Sequence, residues 1–149
     1  MEIERKYLIP HIPEGLSITE THHIEQAYLC TAPVVRIRKD NEQYILTYKS
    51  KGLMAREEYN LPLTEEAYRH LKKKADGRII KKTRHIIPLD SVLSIELDLF
   101  QDDLAPLVLA EVEFPTREMA ESFTPPDWFG EDVTFSSAYH NSTLSRLQP

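Results

Sequence analysis

The chain has 149 residues, 41% hydrophobic and 28% charged, and its 18 Lys and Arg face 24 Asp and Glu for a formal net charge of −6. That length suits one domain spanning residues 1–149 with a core of its own, and the composition excludes a disordered chain and a helical membrane protein, since no apolar run approaches the ~20 residues a bilayer requires. Net acidity argues against nucleic acid as a partner; the charged N-terminus lacks an export signal and the single cysteine, Cys30, suits a reducing cytoplasm; and the four glycines form neither a phosphate-binding loop nor a dinucleotide fingerprint.

Period-two alternation dominates the chain in order, in short segments punctuated by turn residues. Strands are predicted over residues 2–9, 23–29, 34–38, 44–51 and 55–61, with Pro10, Thr31-Ala32-Pro33, Asp40-Asn41-Glu42 and Gly52 as the breaks. A helix follows, capped by Thr64, with Glu65 and Glu66 in its first turn, Lys72 to Lys74 near its end and Gly77 as its stop. Further strands cover 79–87, 92–100 and 107–114, and a second helix covers Arg117 to Phe123 between Thr116 and Pro125-Pro126. The tail from Phe135 to Leu147 is ambiguous, with a short helix as one reading. The fold class is mainly β (α+β): eight antiparallel strands closed into a barrel, with a few flanking helices.

Alternate residues of a strand point to opposite faces, so the charges can be sorted by face. Ile3, Tyr7 and Ile9 oppose Glu2, Glu4 and Lys6; Val35 and Ile37 oppose Arg36 and Arg38. Lys49 and Lys51 share the face of Thr47, and Lys82 shares one with Arg84. Ile95, Leu97 and Leu99 oppose Glu96 and Asp98, while Val108, Ala110, Val112 and Phe114 oppose Glu111 and Glu113. Like charges two residues apart repel, and a surface selected only for solubility mixes its signs. The pattern makes sense if carboxylate pairs gather a hard divalent cation, Mg2+ or Mn2+, and the Arg and Lys pairs gather phosphate oxygens. The charged faces then line the barrel, and the apolar faces point outward under the helices.

Glu2-Ile3-Glu4-Arg5-Lys6 resembles the ExExK signature of the CYTH superfamily, the triphosphate tunnel metalloenzymes. The likeness continues through Gln26-Ala27-Tyr28-Leu29, Arg36-Ile37-Arg38, Leu46-Thr47-Tyr48-Lys49, Arg56-Glu57-Glu58-Tyr59, Lys82-Thr83-Arg84, Glu96-Leu97-Asp98, Glu111-Val112-Glu113 and Tyr139-His140-Asn141. Ala27, His85 and Asn60 depart from the usual glycine, tyrosine and second carboxylate at their positions.

The resemblance implies an eight-stranded tunnel that binds a linear triphosphate, with the short bacterial inorganic triphosphatases as the nearest group. It assigns Lys6, Arg36, Arg38, Lys49, Lys51, Arg56, Lys82 and Arg84 to the phosphates. It assigns Glu2, Glu4, Glu58, Glu96, Asp98, Glu111 and Glu113 to Mg2+ or Mn2+, with Glu96 and Asp98 alternatively fixing the arginines. Lys6, Tyr28 and Lys82 are the candidate catalytic residues, Tyr28 as proton acceptor. Same-fold alternatives are thiamine or nucleoside triphosphate hydrolysis and class IV adenylate cyclisation; a non-catalytic polyphosphate-binding module is the alternative outside enzymology. The expected partner is a small triphosphate, not a membrane, and the sequence admits a homodimer without requiring it.

Overall fold

Two apolar stripes on the outside and a charged face on the inside make this sheet curl upon itself. The computed structural model describes residues 1–145. Its strands are β1 (Glu2–Leu8), β2 (Glu20–Thr31), β3 (Val34–Asp40), β4 (Gln43–Lys49), β5 (Ala55–Arg56), β6 (Glu58–Pro62), β7 (Asp76–Pro88), β8 (Ser94–Phe100) and β9 (Val108–Glu113). They form one sheet of nine strands in the order β5-β1-β9-β8-β7-β2-β3-β4-β6, every pairing antiparallel. The two edge strands, β5 and β6, are separated only by Glu57, so the chain itself joins the sheet's ends and the barrel is nearly closed.

The expected strand 55–61 is thus two strands. Glu57 leaves the ladder to bond Ser50, its N–H reaching the Ser50 hydroxyl at 2.9 Å and its carbonyl accepting from the Ser50 N–H at 3.0 Å. That break lets residues 55–56 pair with β1 and residues 58–62 with β4, giving nine strands where the sequence reads as eight. β4 ends at Lys49, short of the predicted Lys51, because the chain turns at Gly52. A Cβ there would lie 2.2 Å from the Ala55 carbonyl oxygen, so this turn admits only glycine.

There are three helices among the described residues: α1 (Glu65–Lys72) and α2 (Arg117–Glu121) cover the outside, and α3 (Asn141–Leu144) closes one end of the barrel. The Thr64 and Thr116 hydroxyls accept from the N–H groups of Ala67 and Met119, so both predicted N-caps are in place. Gly77 does not stop α1. The helix closes through Lys74 and Ala75 N–H bonds to Leu71 and Lys72, and Gly77, at φ +69°, lies inside β7. The tail holds a single 3-10 turn at 137–139 and then α3; Leu147, the end of the predicted tail helix, lies outside the described residues. Among the described residues no helix is long and apolar enough to cross a membrane.

The core is layered around the barrel wall. Outward-facing Ile3, Tyr7, Ile9, Ile95, Leu97, Ala110, Val112 and Phe114 pack under α2 and the segment carrying Phe123, Trp128 and Phe129. On the far side Ala27 and Ile37, both fully buried, lie under Tyr68 and Leu71 of α1. A third cluster occupies one end of the barrel. Tyr28, Val34, Ile80, Phe100 and Leu109 meet Leu144 of α3 and Tyr139 there. Because Ile37 carries α1's contact and cannot be replaced by water without a cavity, Ile37→Ala is expected to lower unfolding free energy by ~2–5 kcal/mol. Urea denaturation with an unchanged slope measures it.

Candidate active site

The face of each strand opposite the apolar one converges on a cavity of about 230 Å³ inside the barrel. β1 and β9 set its acidic side: Glu4 stands opposite Glu113 and Lys6 opposite Glu111 in register. β3, β4 and β7 supply cations, with Arg36 opposite Thr47 and Lys82 opposite Phe100. Glu2, Glu4, Lys6, Arg36, Lys49, Lys82, Arg84 and Glu111 all line it and all are buried. Glu58, Glu96 and the exposed Glu113 stand at its rim, and Tyr28, Val34, Arg38, Ile45, Arg56, Asn60, His140, Asn141 and Ser142 complete the lining.

Buried ions of both signs largely neutralise one another. Lys49 contacts Glu2 at 3.0 Å and Glu58 at 3.3 Å, and Arg56 reaches Glu2 at 3.5 Å. Lys6 lies 3.4 Å from Glu111. Arg84 is forked onto Asp98 at 2.7 and 2.9 Å and reaches Glu96 at 2.6 Å, while Lys82 contacts Asp98 at 2.7 Å. The lumen nevertheless contains members without an opposite charge. The Glu4 carboxylate makes no hydrogen bond or ion pair among the described residues; burial, with Glu111 and Glu2 beside it, pushes it up to about 8. Arg36 has no ion pair among them and its Nε is buried without a hydrogen-bond partner. Among the described residues Arg38 finds only the neutral Gln26 oxygen, at 2.9 and 2.6 Å.

Titration follows this arrangement. Burial, then Arg36 and Arg84, bring Arg38 down to about 9; burial, then Arg84 and Arg38, bring Lys82 down to about 7 against the pull of Asp98. Glu111 is held well below the usual range by Lys6 and Arg84, which outweigh its burial. Glu2 and Glu58 compete for Lys49: burial raises Glu2, whereas Glu58 is held at about 2, against its own burial, by its bond with Glu2 and by Lys49 and Asn60. Burial, Glu2 and Glu96 raise Glu113. His140, lowered to about 4 by burial and by Lys6 and Arg56, is a neutral imidazole in the lining.

One sequence-derived site residue takes another place. Lys51 is exposed in the turn after β4 and does not line the cavity, because β4 stops one face-repeat earlier. Asp98, expected either as a ligand or as an anchor of the arginines, takes the place of the anchor: it is fully buried with its oxygens bound to Arg84 and Lys82. Of the three departures, Ala27 packs outward under α1 where no glycine is required, and His85 bonds Thr21 outside the cavity. Asn60 accepts from the Thr47 hydroxyl at 2.6 Å and donates to Glu58 at 3.2 Å, so an amide orients a carboxylate there. Sequence reading assigned no role to Gln26, His140 or Asn141. Their signal was a glutamine on the inward face of a strand, beside Tyr28, and the Tyr139-His140-Asn141 motif in the tail.

A divalent ion needs oxygen donors with charge to spare. Glu4, orphaned and facing Glu2, Glu111 and Glu113, meets that need, so the donor chemistry fits Mg2+ or Mn2+. Among the described residues no three such side chains form a ready ion cage; Glu2 and Glu111 are engaged by Lys49 and Lys6 instead.

A family model for the CYTH domain matches residues 1–148. The chain is 38% identical over 153 residues to the inorganic triphosphatase of Nitrosomonas europaea, covering 99% of both, and 34% identical to that of Acetivibrio thermocellus, over 74% of this chain and 70% of that one. The crystal structure of the inorganic triphosphatase NE1496 superposes with a TM-score of 0.74 at 35% identity, over 100% of this chain and 97% of that one. HpAC1 from Hippeastrum shares the fold at a TM-score of 0.66 and 17% identity, over 81% and 83% of the two chains.

Because Glu4 is raised from an ordinary 4.5 to about 8, the folded, metal-free protein binds more protons than the unfolded chain between those values. Its contribution to stability is complete at acid pH and is lost as pH rises through about 8. Glu4→Gln is therefore expected to raise the thermal midpoint in EDTA at pH 8 more than at pH 5. A gain that is equal at both values contradicts the assignment.

Proposed function

The chain belongs to the CYTH domain family, and on that footing we propose that it hydrolyses inorganic triphosphate to pyrophosphate and phosphate with a divalent metal ion. It is a hydrolase of phosphoric anhydrides. The observation that carries the reading is the pair Arg36 and Arg38, two guanidinium groups in the lumen of a net-acidic protein with no carboxylate partner among the described residues. Buried charge without a counter-ion is costly, and a polyanion completes them. Lys82, in the same lining, adds a compact donor for that ligand.

The acidic side supports the metal. Glu4, Glu2, Glu111 and Glu113 would hold it, with Glu58 and Glu96 at the rim. When bound, the ion supplies Lewis-acid neutralisation of the phosphate oxygens. Phosphoryl transfer asks the protein mainly for positioning and charge stabilisation, which fixed cations in a low-dielectric lumen provide. Lys6 and Lys49, now paired with Glu111 and Glu2, are placed to exchange those carboxylates for phosphate oxygens. Arg84 stays fixed by Asp98 and Glu96 and lends its field rather than its donors. Tyr28 lies in the lining, 2% exposed, its hydroxyl without a hydrogen bond among the described residues and within electrostatic reach of Lys6 and Arg38. That setting supports it as a proton acceptor.

Size and rim favour the inorganic substrate over its esters. The cavity falls below the roughly 300–1,000 Å³ of sites that enclose drug-sized organic ligands. Glu58, Glu96 and Glu113 at the rim offer a nucleobase or thiazolium no aromatic wall to stack on. The curated relative at 38% identity is named an inorganic triphosphatase, which supports the same choice.

Phosphate release from inorganic triphosphate, thiamine triphosphate, ATP and pyrophosphate, each in Mg2+, Mn2+ and EDTA, tests the reading. Inorganic triphosphate is expected to have the highest kcat/KM, with activity abolished by EDTA. Arg36→Ala and Arg38→Ala are each expected to lower kcat/KM by ~10²–10³-fold. Release from ATP at an equal kcat/KM, or full activity in EDTA, contradicts it. For Tyr28 the readout is the pH profile: Tyr28→Phe is expected to lower kcat and remove one limb, and an unchanged profile ends the proton-acceptor role.

A further inference from the structure

The plugged end of the barrel contains a chain of side-chain amides that the reaction, as described so far, does not use. Asn141 Oδ1 accepts from Lys82 Nζ at 3.1 Å and from Gln26 Nε2 at 2.9 Å. Gln26 Oε1 in turn accepts twice from Arg38, through Nε at 2.9 Å and Nη2 at 2.6 Å. The orientation of both amides follows from chemistry. Lysine and arginine have no acceptor atoms, so Asn141 must present its oxygen to Lys82 and Gln26 its oxygen to Arg38. The amide nitrogen of Gln26 is then left to face Asn141, which is how the two meet. Gln26 is fully buried and Lys82 is 1% exposed, so water does not substitute for these bonds.

Asn141 is itself held firmly. It opens α3, whose Leu144 is buried against Tyr28, Val34 and Ile80 inside the barrel end. Just upstream, the Tyr139 carbonyl accepts from Lys6 Nζ at 3.3 Å. Every acceptor that this segment offers the lumen cations is neutral. Lys82 already has one carboxylate, Asp98, at 2.7 Å. A second on the other side would cancel the charge that a phosphate needs, whereas an amide oxygen orients the ammonium and leaves its charge available.

We propose that Asn141 is a substrate-positioning residue, whose neutral oxygen fixes Lys82 directly and Arg38 through Gln26 so that both cations meet the inner phosphate of the bound chain. This rests on the triphosphate reading of the cavity and adds a residue to it.

The test separates a neutral acceptor from a merely structural one. Asn141→Ala removes both bonds; Asn141→Asp keeps an isosteric acceptor for both but adds a charge. Each full-length variant is assayed for KM and kcat on inorganic triphosphate with Mg2+, for triphosphate affinity by titration calorimetry in EDTA, where nothing is turned over, and for thermal midpoint. Asn141→Ala is expected to raise KM and Kd about tenfold with kcat changed less than about threefold. Asn141→Asp is expected to keep or raise the thermal midpoint yet weaken binding further than alanine does, by ~30-fold or more. Restoration of wild-type KM and Kd by aspartate would make Asn141 a structural acceptor only and overturn the inference, as would wild-type values in both variants. Should the alanine variant fail to fold, the aspartate variant alone decides. Wild-type protein that neither binds nor hydrolyses triphosphate sinks the underlying reading as well, whereas active wild type with unaffected variants sinks this inference alone.

Discussion

Closing a sheet around ionised side chains is the constraint on which this structure depends. Desolvating a carboxylate or an ammonium costs several kcal/mol even after relaxation, at about the scale of a domain's whole stability. The barrel meets that cost by interleaving signs: Lys49 with Glu2, Lys6 with Glu111, and Lys82 and Arg84 with Asp98. The compensation is left incomplete at Glu4 on one side and at Arg36 and Arg38 on the other. Those remainders have the signs of a metal site and a phosphate site. Function and residual instability share one cause, since groups that would be best neutralised for folding are the ones held open for a ligand.

The lumen is also graded along its length. Its rim is acidic, its middle mixed and basic, and its far end is filled by Phe100, Leu109 and Ile80 under Leu144. Apolar outer faces carry the folding energy, under α1 on one side and α2 with its following aromatics on the other. This division explains how so charged an interior survives. The barrel has two cores outside its wall and a third closing one end, which leaves the middle of its lumen to charge.

Much of this was legible from alternation alone. Glu2, Glu4 and Lys6 opposing Ile3 and Tyr7 fixed which face of β1 turned inward, and the same logic placed Arg36, Lys49, Lys82 and Glu111 in one cavity. The failures came where backbone or side-chain partners override the pattern. The split at Glu57 depends on Ser50, a partner no periodicity reveals. Lys51 kept the right parity but fell beyond the end of its strand, where Gly52 turns the chain. For Asp98 parity left two roles open, ligand or anchor of the arginines, and only the distance between strands puts its oxygens on Arg84 and Lys82. Gln26 and Asn141 went unassigned because uncharged amides carry no sign to sort, and their importance emerges only when both meet cations across the barrel.

The central claim is that the lumen's internal ion pairs stand in for the charges of a metal–triphosphate and yield to them. A crystal structure with Mg2+ and a non-hydrolysable triphosphate analogue tests it most directly. The account expects phosphate oxygens on Arg36, Arg38 and Lys82, the ion among Glu4, Glu2 and Glu111, and Lys49 released from Glu2. A ligand bound outside the barrel, with the Lys49–Glu2 and Lys6–Glu111 pairs unchanged, would contradict it.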